Sequence, residues 1–362
     1  MKMKKTISIL LLLASICSVL SAFSACGNKQ NDEKEEYTTR SQTVSYAHFN
    51  TVTILSSYGA ATAEEFAAYV KTVDEMLGHY HKLFDIYYEY AGVNNIKTIN
   101  KNAGKEPVAV EEELIVFLEY CKELYAVTKG QTNILFGSVL KLWHDARETA
   151  DETAGYLDKS LLPTEDALAE AAKHTSIDLL VIDKEAKTVY ISDPAASIDV
   201  GAIAKGYAAS KVAEKLKADG ADAMALNAGG NIVTIGLKPG NEQWITGIKN
   251  PNGTEANSLI CRVKLGETSL VTSGNYERYF LSDGKIYHHI IDPETRMPAE
   301  HFASVSVFTP NGGLADALST ALFCMSYEEG LALIEEIDGV EALWVCHDGT
   351  IKMTKGVSLV ND

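Results

Sequence analysis

The chain has 362 residues, of which 46% are hydrophobic and 22% charged, an ordinary composition for a packed globular protein. Its formal net charge of −17 argues against nucleic acid as a partner, because the phosphate backbone would be repelled. Any anionic ligand must therefore be met by a local positive device: a metal ion, a lysine or a helix N-terminus.

Lys2, Lys4 and Lys5 precede an apolar run from Ile7 to Leu20, and Phe23-Ser24-Ala25-Cys26 follows. A basic stretch, an apolar run and small residues before a cysteine make a secretory signal. The pattern resembles a bacterial lipobox, with Phe23 where Leu is usual. Residues 1–25 are thus expected to be a signal peptide and Cys26 the lipid-carrying residue. The alternative is a plain signal or short anchor with Cys26 incidental, although the run is short of the ~20 residues a spanning helix needs. Residues 26–45 are polar and charged and read as a flexible tether. The remaining 46–362, about 315 residues, fit one large or two intimately joined domains.

Within that unit, residues 49–56 alternate and are rich in β-branched side chains, which predicts a strand. Phe66, Val70, Val73, Leu77 and Tyr80 recur at helical spacing across 63–84. Helices are also predicted at 112–128, 164–174, 314–325 and 327–337. Strands are predicted at 179–182, 188–191, 224–226, 232–235, 244–248, 259–265, 269–272, 286–291, 305–308, 343–345 and 351–354. Residues 198–217 read as strand, glycine turn and helix. Many strands with only some alternating helices imply α+β architecture. Cys121, Cys261, Cys324 and Cys346 lie in apolar contexts outside any C-x-x-C pair and read as buried free thiols.

Four segments could carry chemistry. In the first, Asp199 precedes Gly201, and Lys205 falls in the first turn of a helix whose free N–H groups suit an anion. A buried strand–helix joint with a solvated lysine would look the same. In the second, Gly229-Gly230 between two apolar strands marks an ordinary hairpin or a close backbone approach to a ligand. In the third, His288 and His289 are adjacent on an expected strand, so their rings should face opposite sides and one could line a site. In the fourth, Asp316, Ser319 and Thr320 share a helix face as oxygen donors suited to a hard cation. They equally fit an acid near a helix N-terminus with small packing residues.

Together these segments resemble the FAD:protein FMN transferase family, also called the ApbE family of bacterial lipoproteins. The shared motifs are Asp199-x-Gly201-x-Ile203-Ala204-Lys205-Gly206-Tyr207, Asn227-x-Gly229-Gly230-Asn231, Thr272-Ser273-Gly274-x-Tyr276, His289-Ile290-Ile291-Asp292-Pro293-x-Thr295 and Ala315-Asp316-Ala317-Leu318-Ser319-Thr320-Ala321. The resemblance runs from about Phe49 to the C-terminus. It implies a compact α+β unit of two intimately joined parts with a FAD cleft between them. It implies that Asp199, Lys205 and His289 contact FAD, as does Phe49 on the N-terminal strand. It also implies that the Ala202 carbonyl, Asp316 and Thr320 hold magnesium, with Ser319 at a further position and manganese as the alternative ion. Gln131-Thr132-Asn133 stands where many members read Ala-Phe-Asp, and Arg296 replaces the usual Gly after Thr295.

The implied reaction moves the FMN half of FAD onto a Thr or Ser hydroxyl of an acceptor protein and releases AMP. Positioning and charge neutralisation then dominate catalysis. His289 is the first candidate for general base and Asp199 the second. A FAD pyrophosphatase, with water as nucleophile, and a non-catalytic FAD-binding lipoprotein are the other readings. The implied location is outside the cytoplasm, held to the cell membrane by the lipid on Cys26.

Overall fold

In the computed structural model, which describes residues 38–59 and 61–360, two antiparallel strands come first: β1 (Arg40–Ser45) and β2 (Thr53–Ser57). Helix α1 (Ala63–Phe84) follows. Thr62 and Glu65 close a reciprocal capping box at its start, and Phe66, Val73, Leu77, Tyr80 and Leu83 form its buried stripe. The helices α2 (Ile96–Lys101), α3 (Glu112–Val127), α4 (Gly137–Glu152) and α5 (Glu165–Ala171) make a mainly helical half. To it belong β3 (Val108–Ala109), β4 (Leu180–Asp183) and β5 (Thr188–Ile191), paired in the order β3-β5-β4.

Helix α6 (Ala204–Ala218) leads into the second half. Its strands are β6 (Met224–Ala228), β7 (Asn231–Ile235), β8 (Trp244–Lys249), β9 (Leu259–Leu265), β10 (Ser269–Gly274), β11 (Tyr279–Ser282), β12 (Lys285–His288) and β13 (Ser304–Thr309). After α7 (Gly312–Cys324) and α8 (Tyr327–Glu335) come β14 (Glu341–Val345) and β15 (Ile351–Met353). Eight strands form one sheet in the order β1-β2-β6-β7-β10-β13-β14-β15. Alternation divides its apolar residues between two faces. Leu270, Phe308, Leu343 and Val345 pack with Trp244 of the β8–β9 hairpin. Val271, Val305, Val307 and Trp344 pack instead with Leu318 and Phe323 of α7. The largest core unites the halves, with Leu77, Leu83 and Phe117 meeting Tyr207, Val212 and Leu226. The architecture is α+β, two joined parts sharing one core.

Several local expectations are corrected. The tether expected to reach Ser45 ends earlier, because Arg40–Ser45 pairs along β2 as an edge strand. Edge strands tolerate polar residues, so composition alone mimicked a linker. The strand expected from residue 49 begins at Thr53. Phe49 and Asn50 both adopt φ 53°, a left-handed turn that a β-branched run does not announce. Residues 198–200 join no sheet. The Asn100 side chain brackets Ile198 instead, donating to its carbonyl at 2.8 Å and accepting its N–H at 2.7 Å. Strand β12 ends at His288, so His289 lies beyond it and the alternation argument for the two rings does not apply. Helices α2 and α4 were not anticipated. Cys121 and Cys324 are buried, whereas Cys261 and Cys346 are only half-buried.

Candidate functional site

The start of α6 and the side of α7 touch through glycine. A Cβ on Gly206 would lie 2.1 Å from the Gly312 carbonyl oxygen and 2.7 Å from the Asp316 Cβ, so only glycine admits this approach. The contact lets the buried Asp316 carboxylate reach the α6 backbone, where Oδ2 accepts the Gly206 N–H at 2.8 Å. Ile203 is the N-cap of α6, so the Gly206 N–H is one of the first-turn donors with no partner inside the helix, and Asp316 supplies its acceptor. The Ile203 carbonyl takes the first intrahelical bond, from the Tyr207 N–H at 3.0 Å, and the Ala202 carbonyl lies just before the cap.

The β6–β7 turn completes this group. Gly229, with φ 60°, lies flush against Thr51, where a Cβ would fall 1.8 Å from the hydroxyl. The turn delivers buried Asn231, whose Nδ2 donates to Asp316 Oδ2 at 3.1 Å. Lys205 Nζ donates to Asn231 Oδ1 at 2.9 Å. Burial pushes the Asp316 carboxyl up and the Lys205 ammonium down, and each group's charge partly offsets the shift of the other. Asp316, Lys205 and Asn231 thus form one chain of contacts. Asn231, although within a recognised motif, was not singled out from sequence.

Thr320 follows Asp316 by one helical turn and stands 3.5 Å from the Ser273 hydroxyl of β10. Ser319 is fully buried, and its hydroxyl contacts Ser273 at 2.8 Å and donates to the Asp316 carbonyl at 2.9 Å. Its oxygen braces α7 against β10. The Ala202 carbonyl, the Asp316 carboxylate and the Thr320 hydroxyl are all hard oxygen donors, a set that fits magnesium or manganese. His79, Glu111 and Glu113 are a separate surface group, with ligand-type atoms within 4.8 Å of one another. Glu111 and Glu113 sit at the start of α3, where the helix dipole and His79 already favour carboxylates.

Asp199 belongs to a neighbouring cluster. Its Oδ1 accepts the Gly201 N–H at 2.9 Å, and Oδ2 faces His144 Nε2 of α4 at 3.8 Å. Tyr87 meets the other nitrogen of His144 at 3.4 Å. His144, Arg147, Arg278 and His289 line one small hollow. His144 and Arg147 were not singled out because α4 was not anticipated, although its spacing of Val139, Trp143, Ala146 and Ala150 was an available signal, and Arg278 lay unmarked within the segment before β11. The adjacent histidines are unlike. His288 Nε2 meets the Ala299 carbonyl at 2.9 Å and Nδ1 accepts the Ile290 N–H at 3.2 Å, so its ring is fully engaged. His289 Nδ1 is buried with no partner. Burial holds His289 well below the usual histidine range, and the charge of Arg278 adds to that.

The remaining expected residues are distributed around these groups. Phe49 meets His81 edge-on at 5.7 Å, and its N–H donates to His81 Nδ1 at 3.3 Å. Thr132 is buried and donates to the Ala317 carbonyl at 2.8 Å, bracing α7. Asn133 accepts the Leu135 N–H and donates to the Thr175 carbonyl, whereas Gln131 has a buried carbonyl oxygen without a partner. Arg296 takes the left-handed turn position, φ 62°, that glycine would fill without steric cost.

Comparison with known proteins places this geometry in context. The model of the ApbE family matches residues 46–344. A FAD:protein FMN transferase of Treponema pallidum is 36% identical over 278 residues, covering 72% of this chain and 73% of the relative. One from Klebsiella pneumoniae is 31% identical over 253 residues, covering 70% and 75%. The crystal structure of the ApbE protein from Thermotoga maritima superposes with a TM-score of 0.73 at 27% identity, covering 88% of this chain and 97% of that one. The flavin transferase ApbE of Vibrio cholerae, at 24% identity, shares the fold with a TM-score of 0.68 over 89% and 97%.

Proposed function

This chain belongs to the ApbE family, and on that premise we propose that it transfers the FMN half of FAD to a Thr or Ser hydroxyl of an acceptor protein, releasing AMP. The observation that carries the reading is the buried Asp316 carboxylate, which accepts the Gly206 N–H at the start of α6 and is linked through Asn231 to Lys205, so that a carboxylate, a helix N-terminus and a lysine are grouped. That group suits a phosphoanhydride in an otherwise acidic protein.

The Ala202 carbonyl, Asp316 and Thr320 would hold a magnesium or manganese ion, with Ser319 behind them bracing the helix. When bound, such an ion neutralises phosphate charge and favours departure of the leaving group. Lys205, fixed by Asn231, supplies a positive charge beside the same phosphates. The acceptor oxygen forms a bond to the FMN-side phosphorus while the anhydride bond to the AMP oxygen breaks. His289 is neutral at pH 7, given the direction of its shift, and takes the hydroxyl proton at its unprotonated ring nitrogen. Asp199 is the second candidate for that role. Phe49 and Gln131 are proposed flavin contacts, with Thr132 and Asn133 shaping the wall behind them.

Cys26 and the signal segment lie outside the described residues, and the lipid anchor is a proposal resting on their sequence. Among the described residues no helix is long and apolar enough to cross a membrane. Replacing Cys26 by Ala should release the protein from the membrane or block its processing. Unchanged attachment with normal processing would end the lipoprotein reading.

The activity is tested by incubating the protein with FAD, magnesium and a hydroxyl-bearing acceptor. An FMN-sized mass gain on the acceptor with free AMP is the expected result. Release of AMP and FMN with no acceptor labelled would instead assign a pyrophosphatase.

A further inference from the structure

Arg147 of α4 and Arg278, just before β11, line the same small hollow as His144 and His289. Neither guanidinium has a carboxylate partner within ion-pair distance among the described residues. Of the nearby acids, Glu277 pairs with Lys249 and Asp145 with Lys141, Asp199 faces His144, and Glu148 acts on His144 without an ion pair to either arginine. Burial pushes Arg278, His144 and His289 all down, and the charge of Arg147 pushes each further in the same direction. Two like charges held together, beside a buried imidazole nitrogen with no partner, form an arrangement that an anion would relieve.

The hollow itself is about 10 Å³, the space of a single water. An anion would therefore seat at its mouth, where Arg278 keeps exposed surface although its guanidinium end is largely enclosed, and Arg147 is half-buried. The position also fits the chemistry next door. Arg278 is near enough for its charge to be felt at Lys205, so the mouth of the hollow borders the Lys205–Asp316 group on the Arg278 side. A diphosphate ester offers two phosphates, and the two cationic groups could each take one.

We propose that Arg147 and Arg278 form a clamp for a phosphoryl oxyanion of the dinucleotide, separate from the Lys205–Asp316 group; this rests on the transferase reading above. Guanidinium is suited to the task because its planar fork donates two parallel hydrogen bonds to phosphate oxygens. The oxyanion belongs either to the AMP half or to the FMN half, and binding experiments separate the two.

The test is titration of the purified protein with AMP, FMN, adenosine and riboflavin, comparing the parent with Arg147→Gln, Arg278→Gln and Arg278→Lys. Each glutamine variant should weaken binding of one phosphate-bearing ligand by about tenfold or more, the worth of a lost charge-assisted hydrogen bond. The ligand that weakens identifies the half held. Adenosine and riboflavin should bind as in the parent, and the lysine variant should recover part of the loss. Unchanged AMP and FMN binding in both glutamine variants overturns the clamp, as does a parent that binds neither ligand. Equal losses for adenosine and riboflavin also overturn it, since they would mark collapse of the hollow. If the arginines govern AMP or FMN binding but FAD yields no AMP, the clamp stands and the transferase reading falls.

Discussion

His288 and His289 differ by one position and by everything around their rings. The first has both nitrogens engaged with backbone, and the second has Nδ1 buried without a partner. His289→Asn should therefore lower turnover at saturating FAD by roughly 100-fold, within the usual worth of a general base. His288→Asn should chiefly cost stability and change turnover far less. AMP release and acceptor labelling measured for both variants, with FAD affinity determined separately, decide between them. Normal turnover of the His289 variant would remove the base role, and equal damage from both would point to disturbed packing. The pH profile gives a second readout. A base is active when neutral, and His289 is depressed well below the ordinary range by burial. The parent's turnover should hold as pH falls to about 6.5, the unperturbed histidine value, and decline only below it. A limb centred above that value would contradict the assignment.

Asp316 is sharper still, because it acts on two donors at once. Asp316→Ala removes a carboxylate and leaves the first-turn Gly206 N–H and the Asn231 amide without their acceptor, so an oxygen ligand and the bracing of the site would be lost together. The expected result is loss of AMP release that added magnesium restores little. Asp316→Asn should also be inactive while folding as the parent does. An Asp316→Ala protein with unchanged rate and metal requirement would reduce the residue to a structural acceptor. At this scale the sequence told a limited story. The i, i+3, i+4 spacing placed Asp316, Ser319 and Thr320 on one helix, but the packing of α7 on β10 turns Ser319 inward to Ser273, which spacing cannot foretell. No periodicity can choose between adjacent histidines, and the family motif did so instead.

At the scale of elements, the site depends on α6 and α7 touching. Gly206 and Gly312 have no room for a Cβ, and the Gly206 N–H reaches Asp316 only across that contact. Gly206→Ala should destabilise the protein by about 1–3 kcal/mol, as overpacking does. It should also lower activity more than stability explains, since parting the helices draws Asp316 off the backbone. Denaturant midpoints alongside AMP release would check this, and a stable, fully active variant would show that the close approach is dispensable. Regular elements with strong apolar periodicity were legible. Helix α1 matches its expected span, 63–84, and β9 its own, 259–265. Segments stabilised by single side chains were not. Asn100 substitutes for a neighbouring strand at Ile198, and His81 holds the left-handed turn at Phe49. Both depend on residues distant in the chain, which no local window contains. The fourth helix carries a readable stripe at Val139, Trp143, Ala146 and Ala150, diluted by polar residues between them.

For the whole molecule, a net charge of −17 means that a phosphate-bearing substrate must be met by individual cations set among carboxylates. Lys205, Arg147 and Arg278 lie close enough for their charges to be felt along the same surface. The helical half contributes Arg147 and His144, and the sheet half contributes Asn231, Asp316 and His289, with a shared core holding the two in register. Such an arrangement would hold the phosphates for attack by either an acceptor hydroxyl or water, and the family relatives favour the hydroxyl. The most direct test is the ratio of AMP released to flavin covalently retained by an acceptor protein, followed through the reaction with FAD and magnesium. The account predicts one retained flavin for each AMP, on a Thr or Ser side chain. Free FMN accumulating in step with AMP, while the acceptor stays unlabelled, would contradict it.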